Sequence, residues 1–496
     1  MLSCFQKVKL SLRRIDKICN NAKGDDQMKY QPTYESVHQH KLPKWFDDAK
    51  FGIFVHWSLF SVPAYAAEQT RDISESMAED MSATFANNPY AEWYLNSLRI
   101  PGSPTQAFHK KHYGDKSYFD FQKDFEEQNA NLNVDDWAKL MEQAGARYCV
   151  LVTKHHDGYT LWPTDTPNPI IPGYYSKRDF VGELTEAVRA RGMKMGLYYS
   201  GVYDWTFKTD CPIDSPRGFL KHQDMPKEYV EYSVKHLYEL IDKYHPSVLW
   251  NDIAFPYGYN LNELFAHYYN TVEDGVIDDR WNQRKVPKTE EEWQEVERRG
   301  AAGLAGNTTT HYDFITPEYQ VFDSQQPVKW ECTRGIGRSF GFNRTECGSD
   351  YLNGAQIIDM LVRIVSRGGN LLLNIGPRAD GTIPYEQTKP LMETGEWLSV
   401  NGEAIYGTRP HSTLEYKDAD GCSVCMTKTR DALYAIALRP DMPASYEVKG
   451  LMLEENAHVE LLGAGEVQWF AEEDCTVFNL PENMPKQAAY TLKIHR

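Results

Sequence analysis

Short apolar runs along the first half of the chain each end in polar residues that can take part in chemistry. Four such runs, with the residues that follow them, are Phe51–Val55 with His56, Tyr148–Val152 with His155 and His156, Met195–Leu197 with Tyr198, and Val248–Trp250 with Asn251 and Asp252. A parallel strand that is buried on both faces reads as a continuous hydrophobic run. Functional side chains at the carboxyl ends of several such strands are typical of (β/α)₈ barrel enzymes, so the pattern predicts an enzyme with a pocket at that end.

Helical periodicity separates the predicted strands. The spacing of apolar residues predicts helices over 134–146, 179–192, 228–244 and 356–367. The last of these helices precedes 369–376, which has the pattern of one of the final barrel strands. Because each helix is followed within a few residues by the next strand, we predict an α/β fold with a (β/α)₈-like, TIM-type barrel.

The pattern of apolar and polar residues changes after Gly407. Residues 408–496 carry short alternating runs separated by turn residues, which predicts a small antiparallel β-sandwich. We therefore divide the chain into a polar leader at 1–30, a catalytic barrel at 31–407 and a C-terminal β-sandwich at 408–496. Residues 284–310 are rich in Glu and Arg and then in Ala and Gly. We expect a surface insertion that begins with a solvated helix, with a lid or interface beside the pocket as the alternative.

Length, charge and cysteine content narrow the class of protein. At 496 residues and 41% hydrophobic content, the chain can build a barrel core and a smaller partner. A formal charge of −17 repels nucleic acid and anionic membranes, so neither is an expected partner. Nine cysteines without dense spacing, no signal-peptide pattern and no apolar run of about 18 residues lead us to expect a cytoplasmic protein.

Three acidic residues are candidates for catalysis. Asp252 ends an apolar run, Glu318 lies in the segment DFITPEY, and Glu331 follows a Lys-Trp pair. A charged group at the end of a buried strand is costly unless it is paired or used. Paired carboxylates are the minimum equipment for breaking a glycosidic bond, since one protonates the leaving oxygen while the other activates water or attacks the sugar carbon. The residues alone leave retention and inversion open.

The pair His155-His156 allows a different interpretation, because barrel hydrolases often bind zinc through strand-end histidines. Adjacent side chains on an extended strand point to opposite faces, so we expect this pair to chelate one ion poorly. We therefore expect no metal and no cofactor. A metal-dependent barrel hydrolase built on His155 and His156 is kept as the alternative function, and a sugar-binding protein on a disabled barrel as the non-enzymatic one.

Ten segments, in order along the chain, resemble the α-L-fucosidases of glycoside hydrolase family 29. Among them are FGIFVHWSLFSVPAYA, PYAEWYLNSLR, VTKHHDGYTLW, GLYYSGVYDW, VLWND, DFITPEY, KWECTRGIGRSFGFNR and GGNLLLNIGP. The resemblance covers about residues 33–410 and is greatest to the bacterial, broad-specificity branch. It implies a retaining exo-glycosidase that removes terminal α-linked L-fucose through a covalent fucosyl-enzyme.

The resemblance also implies roles for individual residues. The Asp of the LWND segment, here Asp252, is the family's nucleophile. Glu318 matches the acid/base of similar bacterial members, whereas Glu331 matches the position used in other members. We favour Glu318 because the segment around it is intact. The insertion at 284–310 lengthens the link between Arg280 and Glu318, which bears on the placement of the acid/base.

Further residues match the sugar contacts of the family. They are His56, Glu92, Trp93, His155, His156, Tyr198, Trp250, Arg280 and Phe340. Imidazole, carboxylate and guanidinium groups suit the hydroxyls, while Trp93 and Phe340 can cover the apolar methyl group of fucose. The implied partner is a fucosylated oligosaccharide or glycoconjugate. Linkage, aglycone and a homo-oligomer are left open.

Overall fold

Seven parallel strands form the first sheet of the computed structural model, which describes residues 29–68, 80–209, 211–299 and 310–495. The strands are β1 Phe51–Val55, β2 Tyr148–Lys154, β3 Lys194–Ser200, β4 Val248–Asp252, β5 Val276–Ile277, β6 Glu331–Gly335 and β7 Asn370–Ile375. Their order across the sheet is β5-β4-β3-β2-β1-β7-β6. Nearly every residue of these strands is buried, because helices cover one face and the barrel interior the other.

The segment 313–319 connects the two edge strands of this sheet. The Asp313 N–H donates to the carbonyl of Ile277 in β5, at 2.8 Å. On the other side, Ile315 donates to Lys329 at 3.0 Å and accepts from Glu331 at 2.9 Å. The segment therefore occupies the place of an eighth strand, and the TIM-type barrel predicted from the sequence is confirmed as a curled parallel sheet.

Helices lie between the strands, and their ends follow the local sequence. Asp179 caps the helix that starts at Phe180 by accepting from the Gly182 N–H, and Asn353 caps the helix that starts at Gly354. The four helices predicted from periodicity are all present, with ends shifted by a few residues. The helices are Tyr34–Val37, Lys44–Ala49, Met81–Ala86, Tyr94–Arg99, Pro104–Tyr113, Phe121–Gln128, Asp135–Gln143, Phe180–Ala190, Pro216–Lys221, Lys227–Tyr244, Leu261–Thr271, Glu290–Arg299, Gly354–Ser366 and Tyr385–Asn401.

Nine antiparallel strands form the second sheet. They are β8 Arg409–Asp418, β9 Ser423–Lys428, β10 Ala432–Ala437, β11 Ser445–Lys449, β12 Val459–Leu461, β13 Gly465–Glu466, β14 Gln468–Ala471, β15 Cys475–Asn479 and β16 Tyr490–His495. Their order is β13-β12-β16-β10-β9-β8-β11-β15-β14. Side chains from both halves of this sheet meet in one hydrophobic cluster, so the sheet curls over its own core as the predicted sandwich does.

Strand β10 is buried on both faces. The alternating pattern found in residues 408–496 predicts strands with one buried and one exposed face, so this double burial was not predicted. Leu433, Ala435 and Ala437 face the core of the antiparallel sheet. Tyr434 and Ile436 face the other way and belong to the main cluster around the barrel. The second sheet is therefore packed against the barrel through its central strand.

Two sequence predictions reach residues outside the described ranges. The predicted leader at 1–30 lies almost entirely outside them, as does the Ala- and Gly-rich half of the predicted insertion, 300–309. The charged half of the insertion forms the predicted helix, Glu290–Arg299. Its Trp293 packs on Leu220 and Phe219, so the helix supports the neighbouring helix Pro216–Lys221.

Candidate active site

A cavity of about 260 Å³ opens at the carboxyl ends of the barrel strands. It contains ten of the eleven residues predicted for the site, and His156 lies directly behind its wall. The lining residues are Phe54, His56, Met81, Phe85, Asn88, Tyr90, Glu92, Trp93, His155, Tyr198, Phe219, Trp250, Asp252, Ile253, Arg280, Glu318, Thr333 and Phe340.

Arg280 holds the two candidate catalytic carboxylates together. Its Nη1 is 2.9 Å from Oδ1 of Asp252 and 2.6 Å from Oε1 of Glu318. Because both oxygens bind the same nitrogen, they are no farther apart than about 5.5 Å, the upper end of the separation found in retaining glycosidases. Thr316 fixes the guanidinium by accepting from its Nε at 2.8 Å. Two acids far apart in the sequence thus meet in one cavity.

Asp252 stands at the end of β4 in an environment that favours its ionised form. Burial by itself would raise the pKa of this carboxyl, but the Arg280 guanidinium, His156 and the hydrogen bonds to the carboxylate together outweigh burial, so the pKa is lowered. The Tyr198 hydroxyl donates to Oδ2 at 2.8 Å and contributes in the same direction. The side chain is 13% exposed, so it reaches the cavity as a carboxylate.

The residues that follow Asp252 and Glu318 have a left-handed backbone. Ile253, which follows Asp252, has φ of 68°, and Tyr319, which follows Glu318, has φ of 52°. A positive φ is unfavourable for a β-branched or aromatic residue and is found where a fold constrains a functional turn. Pairing of Glu318 with Thr333 of β6 supplies that constraint on one side of the cavity. The turn directs each carboxylate inward at the end of its strand.

Glu331, the other acid/base candidate, lies below the cavity floor. It is fully buried and accepts a hydrogen bond of 2.5 Å from the Tyr148 hydroxyl and one of 3.2 Å from the Trp250 indole. Burial raises the pKa of this carboxyl to about 7, although both hydrogen bonds act to lower it. Glu331 therefore supports Trp250 from behind, while Glu318, at 35% exposure, faces the opening.

Three histidines surround the inner end of the cavity as neutral imidazoles. Burial lowers the pKa of His56 to about 4 and that of His156 to about 3. Burial also lowers the pKa of His155 well below its usual value. Nδ1 of His56 is 2.6 Å from the Asn374 side chain, and Nδ1 of His156 is 2.6 Å from the Ser200 hydroxyl. Neutral rings of this kind can both donate to and accept from sugar hydroxyls.

The expectation that His155 and His156 point to opposite faces is wrong. Strand β2 ends at Lys154, so both residues lie beyond the pleat, and their rings are 4.0 Å apart. Together with Asp252 they place three ligand-type atoms within 4.8 Å of one another. These donor types suit zinc, but the Arg280 guanidinium already binds the carboxylate, so a second cation there would meet a like charge.

The remaining predicted contacts build the side walls. Glu92 accepts from the Gly341 N–H at 2.8 Å, and burial raises its pKa to about 7. The Phe340 ring packs 5.0 Å from that of His56 and forms an apolar surface. Trp93 meets the ring of His156 edge-on at 5.4 Å on another side of the cavity. The site therefore combines hydrogen-bonding groups with aromatic faces, as a sugar-binding cavity does.

Sequence reasoning missed the apolar part of the wall. Met81 and Phe85 lie four positions apart on one face of the helix Met81–Ala86, and Phe219 comes from the helix Pro216–Lys221. The spacing of Met81 and Phe85 after the N-capping Asp80 was a usable helix signal. Nothing in the local sequence around Phe219 connects it to the cavity, since only packing against the barrel brings it there.

Comparison with known proteins agrees with this geometry. The family model described as alpha-L-fucosidase matches residues 17–403. An alpha-L-fucosidase from Dictyostelium discoideum is 35% identical over 394 residues, which cover 77% of this chain and 75% of that protein. Tissue alpha-L-fucosidase from Homo sapiens is 31% identical over 491 residues, covering 94% and 92% respectively.

A solved structure has the same fold. The alpha-fucosidase of Thermotoga maritima, in complex with a mechanism based inhibitor, superposes with a TM-score of 0.80 at 37% identity. The match covers 94% of this chain and 100% of that one. Eukaryotic and bacterial relatives have similar identities, so these matches do not assign the chain to the bacterial branch.

Proposed function

Since the chain belongs to the alpha-L-fucosidase family and is a glycoside hydrolase, we propose that it removes terminal α-linked L-fucose with retention of configuration. The observation that carries this proposal is the bridge from Arg280 to both Asp252 and Glu318. It keeps one oxygen of each carboxylate within about 5.5 Å of the other, closer than the roughly 6.5–9.5 Å typical of inverting enzymes, which supports double displacement. The substrates we propose are fucosylated oligosaccharides or glycoconjugates. Assignment to the broad-specificity bacterial branch belongs to the same proposal.

Asp252 is the proposed nucleophile. Its lowered pKa keeps it ionised at neutral pH, and the Tyr198 hydroxyl and Arg280 fix the orientation of its oxygens. Attack of its carboxylate on the anomeric carbon breaks the bond to the glycosidic oxygen and forms the covalent fucosyl-enzyme. The leaving oxygen takes the proton of Glu318, so the negative charge of Asp252 ends on Glu318. Arg280 offsets part of the charge of the Asp252 carboxylate before the reaction begins. Its contact with Glu318 also holds the Asp252 and Glu318 carboxyl groups at a fixed distance from each other.

Glu318 is the proposed acid/base. It lies on the more exposed side of the cavity, where a leaving group departs and a water molecule enters. In the first step it donates its proton to the glycosidic oxygen, and in the second step it takes a proton from the attacking water. We propose Glu318 rather than Glu331 for this role, since Glu331 is enclosed beneath Trp250 and Tyr148.

The rest of the cavity is proposed to recognise the sugar. His56, His155, His156 and Glu92 provide hydrogen bonds to ring hydroxyls, and a missing partner hydroxyl would leave such buried groups unpaired. Trp93 and Phe340 provide the apolar faces against which a C6 methyl group packs. This division of polar and apolar wall fits a 6-deoxy sugar.

The proposed compartment is the cytoplasm. Among the described residues, seven cysteines are free, and four of these are buried: Cys149, Cys332, Cys425 and Cys475. Free thiols in this number suit a reducing compartment. Separately, each helix in the described ranges is too short or too polar to cross a bilayer.

The test of the catalytic assignment uses an aryl α-L-fucoside. Asp252→Gly is expected to lower kcat by about 10⁴-fold or more, since no neighbouring group can replace the nucleophile. Azide should rescue Glu318→Ala and give a fucosyl azide, whereas Glu331→Gln should keep kcat within about tenfold of the wild type. Normal turnover by Asp252→Gly, or azide rescue of Glu331→Ala alone, would overturn the assignment.

A metal-dependent hydrolase is the second candidate, because His155, His156 and Asp252 form a possible cation site. It predicts that a chelator abolishes turnover and that zinc restores it. The proposed fucosidase mechanism predicts the same kcat with and without chelator. Dialysis against a chelator, followed by the aryl fucoside assay, separates the two.

A further inference from the structure

Two histidines and two glutamates meet on one solvent-exposed face of the antiparallel sheet. All four follow the last residue of the cavity, Phe340, by more than a hundred positions. His458 directly precedes β12 and Glu460 lies within it, while Glu466 comes from β13 and His495 from the end of β16. Glu460 pairs with Glu466 across one strand boundary, and the His495 N–H donates to the carbonyl of His458 across the other. Residues directly opposite in a sheet point to the same side, so all four side chains share one face.

The distances within this group, which we call the β12 face cluster, fit a single small cation. Nε2 of His495 is 3.1 Å from Oε1 of Glu460, and Nδ1 of His458 is 3.8 Å from the same oxygen. The ligand atoms of these three residues all lie within 4.8 Å of one another. A tetrahedral zinc ion with bonds of about 2.0–2.1 Å separates its ligands by about 3.3 Å, so side-chain rotations suffice.

Glu466 supplies the second feature of a metal site. Its Oε1 is 3.8 Å from Nε2 of His458, the ring nitrogen that does not face Glu460. A histidine that binds a metal through one nitrogen usually donates its other N–H to a carboxylate, which fixes the ring and its tautomer. Lys493 lies on the same face, but its Nζ forms an ion pair with Oε2 of Glu403, at 2.7 Å, and not with the cluster. The negative charge of Glu460 therefore remains available.

Among the described residues, two other groups combine histidines and acids in this way, but neither is equally open. One is the group around Asp252 in the cavity, where Arg280 occupies the carboxylate. The other, His40, His311 and Asp313, is buried, and its carboxylate is occupied by His40 and the Tyr269 hydroxyl. The β12 face cluster is at least one-third exposed at every member, so an ion can enter from solvent.

From this geometry we propose that the β12 face cluster binds zinc, with His458, Glu460 and His495 as ligands and Glu466 orienting His458. Imidazole and carboxylate donors suit zinc among the common divalent ions. The ion links β12 to the C-terminal strand β16. Its role is structural, and it is independent of fucoside hydrolysis.

The test titrates the chelator-treated, full-length protein with zinc chloride by calorimetry. The wild type is expected to show a saturable one-to-one component that His458→Gln and His495→Gln each remove. Glu466→Gln is expected to weaken it by about 10- to 100-fold, as loss of an orienting carboxylate does. His112→Gln, which removes an exposed histidine from the helix Pro104–Tyr113, is the matched control and should bind zinc as the wild type does.

A second measurement reports the place and role of the ion. Zinc should raise the Tm of the wild type but not that of His495→Gln, and should leave hydrolysis of the aryl fucoside unchanged. X-ray absorption should show two imidazole ligands at about 2.0–2.1 Å. The proposal is overturned if zinc does not bind at millimolar concentration, or if His458→Gln and His495→Gln bind it as tightly as the wild type.

Discussion

At the scale of single residues, Arg280 determines the electrostatics of the cavity. It binds both catalytic candidates and packs 4.7 Å from the Trp250 ring, so its position is fixed on three sides. The insertion between Arg280 and Glu318 raised the question of whether the two residues still meet. They do, because Thr316 hydrogen-bonds to the guanidinium, while the described part of the insertion contains the helix Glu290–Arg299.

Replacement of Arg280 by Met is expected to move the acidic limb of the pH profile. Asp252 must be ionised to attack, and in the wild type its pKa lies below the ordinary value of 3.8. Without the guanidinium, His156 and Tyr198 offset less of the effect of burial, so that pKa rises and the acidic limb of kcat/KM shifts to higher pH. The maximum should also fall by on the order of 100-fold, as when one electrostatic contact to the reacting groups is lost.

Arg344→Met is the control for this prediction, since Arg344 is exposed and donates to the Val62 carbonyl outside the cavity. Its profile should superimpose on that of the wild type. An unmoved acidic limb in Arg280→Met would show that Arg280 does not set the ionisation of Asp252.

Glu331→Gln is expected to change how stability depends on pH. The pKa of Glu331 is raised to about 7 in the folded protein, from 4.5, so the folded state holds its proton over a range in which the unfolded state has lost it. The wild type therefore loses stability as pH rises from about 4.5 to 7, by about 1.4 kcal/mol per pH unit from this group. The variant lacks this dependence.

Urea unfolding at pH 5, 6 and 7 measures the effect. The stability of Glu331→Gln relative to the wild type should rise at each step and level off above pH 7. Gln325→Ala, at an exposed position ahead of β6 that carries no titratable group, serves as a control and should give a nearly constant difference. A difference for Glu331→Gln that does not change with pH would contradict the raised pKa.

At the scale of elements, close packing between helices fixes the rim of the barrel. Gly395 of the helix Tyr385–Asn401 lies against the end of the helix Asp135–Gln143. A Cβ atom at this position would lie 1.9 Å from the carbonyl oxygen of Gln143, which is backbone and cannot rotate away. The two helices can approach as they do only because residue 395 has no side chain.

Gly395→Ala is therefore expected to destabilise the protein by about 1–3 kcal/mol. The direction of the change in the free energy of unfolding is informative, since Gly-to-Ala inside a helix ordinarily stabilises by about 0.5–1 kcal/mol. Gly348→Ala is the matched control, because its added Cβ meets nothing within 4 Å. Urea unfolding measures both variants, and a Gly395→Ala protein as stable as the wild type would show that the helices can separate freely.

At the scale of the whole molecule, the two sheets share one core. Tyr434 and Ile436 of β10 belong to the hydrophobic cluster of the barrel, and the Trp397 indole donates to the Ala489 carbonyl at 2.8 Å. Arg367 at the end of the helix Gly354–Ser366 binds Glu415 of β8 at 2.7 Å. The boundary at 407/408 remains a prediction about organisation, since these contacts join the regions on either side of it.

We expect the molecule to unfold in a single calorimetric transition because of this shared core. Ile436→Ala, in the antiparallel sheet, should lower the temperature of that transition and of fucosidase inactivation together, through a loss of about 2–5 kcal/mol. Phe470→Ala, on the exposed side of β14, should change stability by less than about 0.5 kcal/mol. Two separate transitions, with activity following only one, would contradict the prediction.

The sequence by itself determined the order of strands and helices and the residues at the strand ends. Continuous apolar runs and helical spacing are local properties, and each strand end is marked by the first polar residue after the run. For this reason the barrel, the late strand β7 and the cavity residues at the strand ends were predictable. The ten segments added further cavity residues and their chemical roles only through their resemblance to a family.

Only the tertiary structure decided which groups touch. The separation of Asp252 from Glu318 depends on how Arg280 and Thr316 close the barrel across an insertion, and the burial of Glu331 depends on Tyr148, which lies 183 positions away. The direction of the His155 and His156 side chains depends on β2 ending at Lys154, before either histidine. Phe219 and the β12 face cluster arise from packing and strand register, which join residues that no local pattern connects.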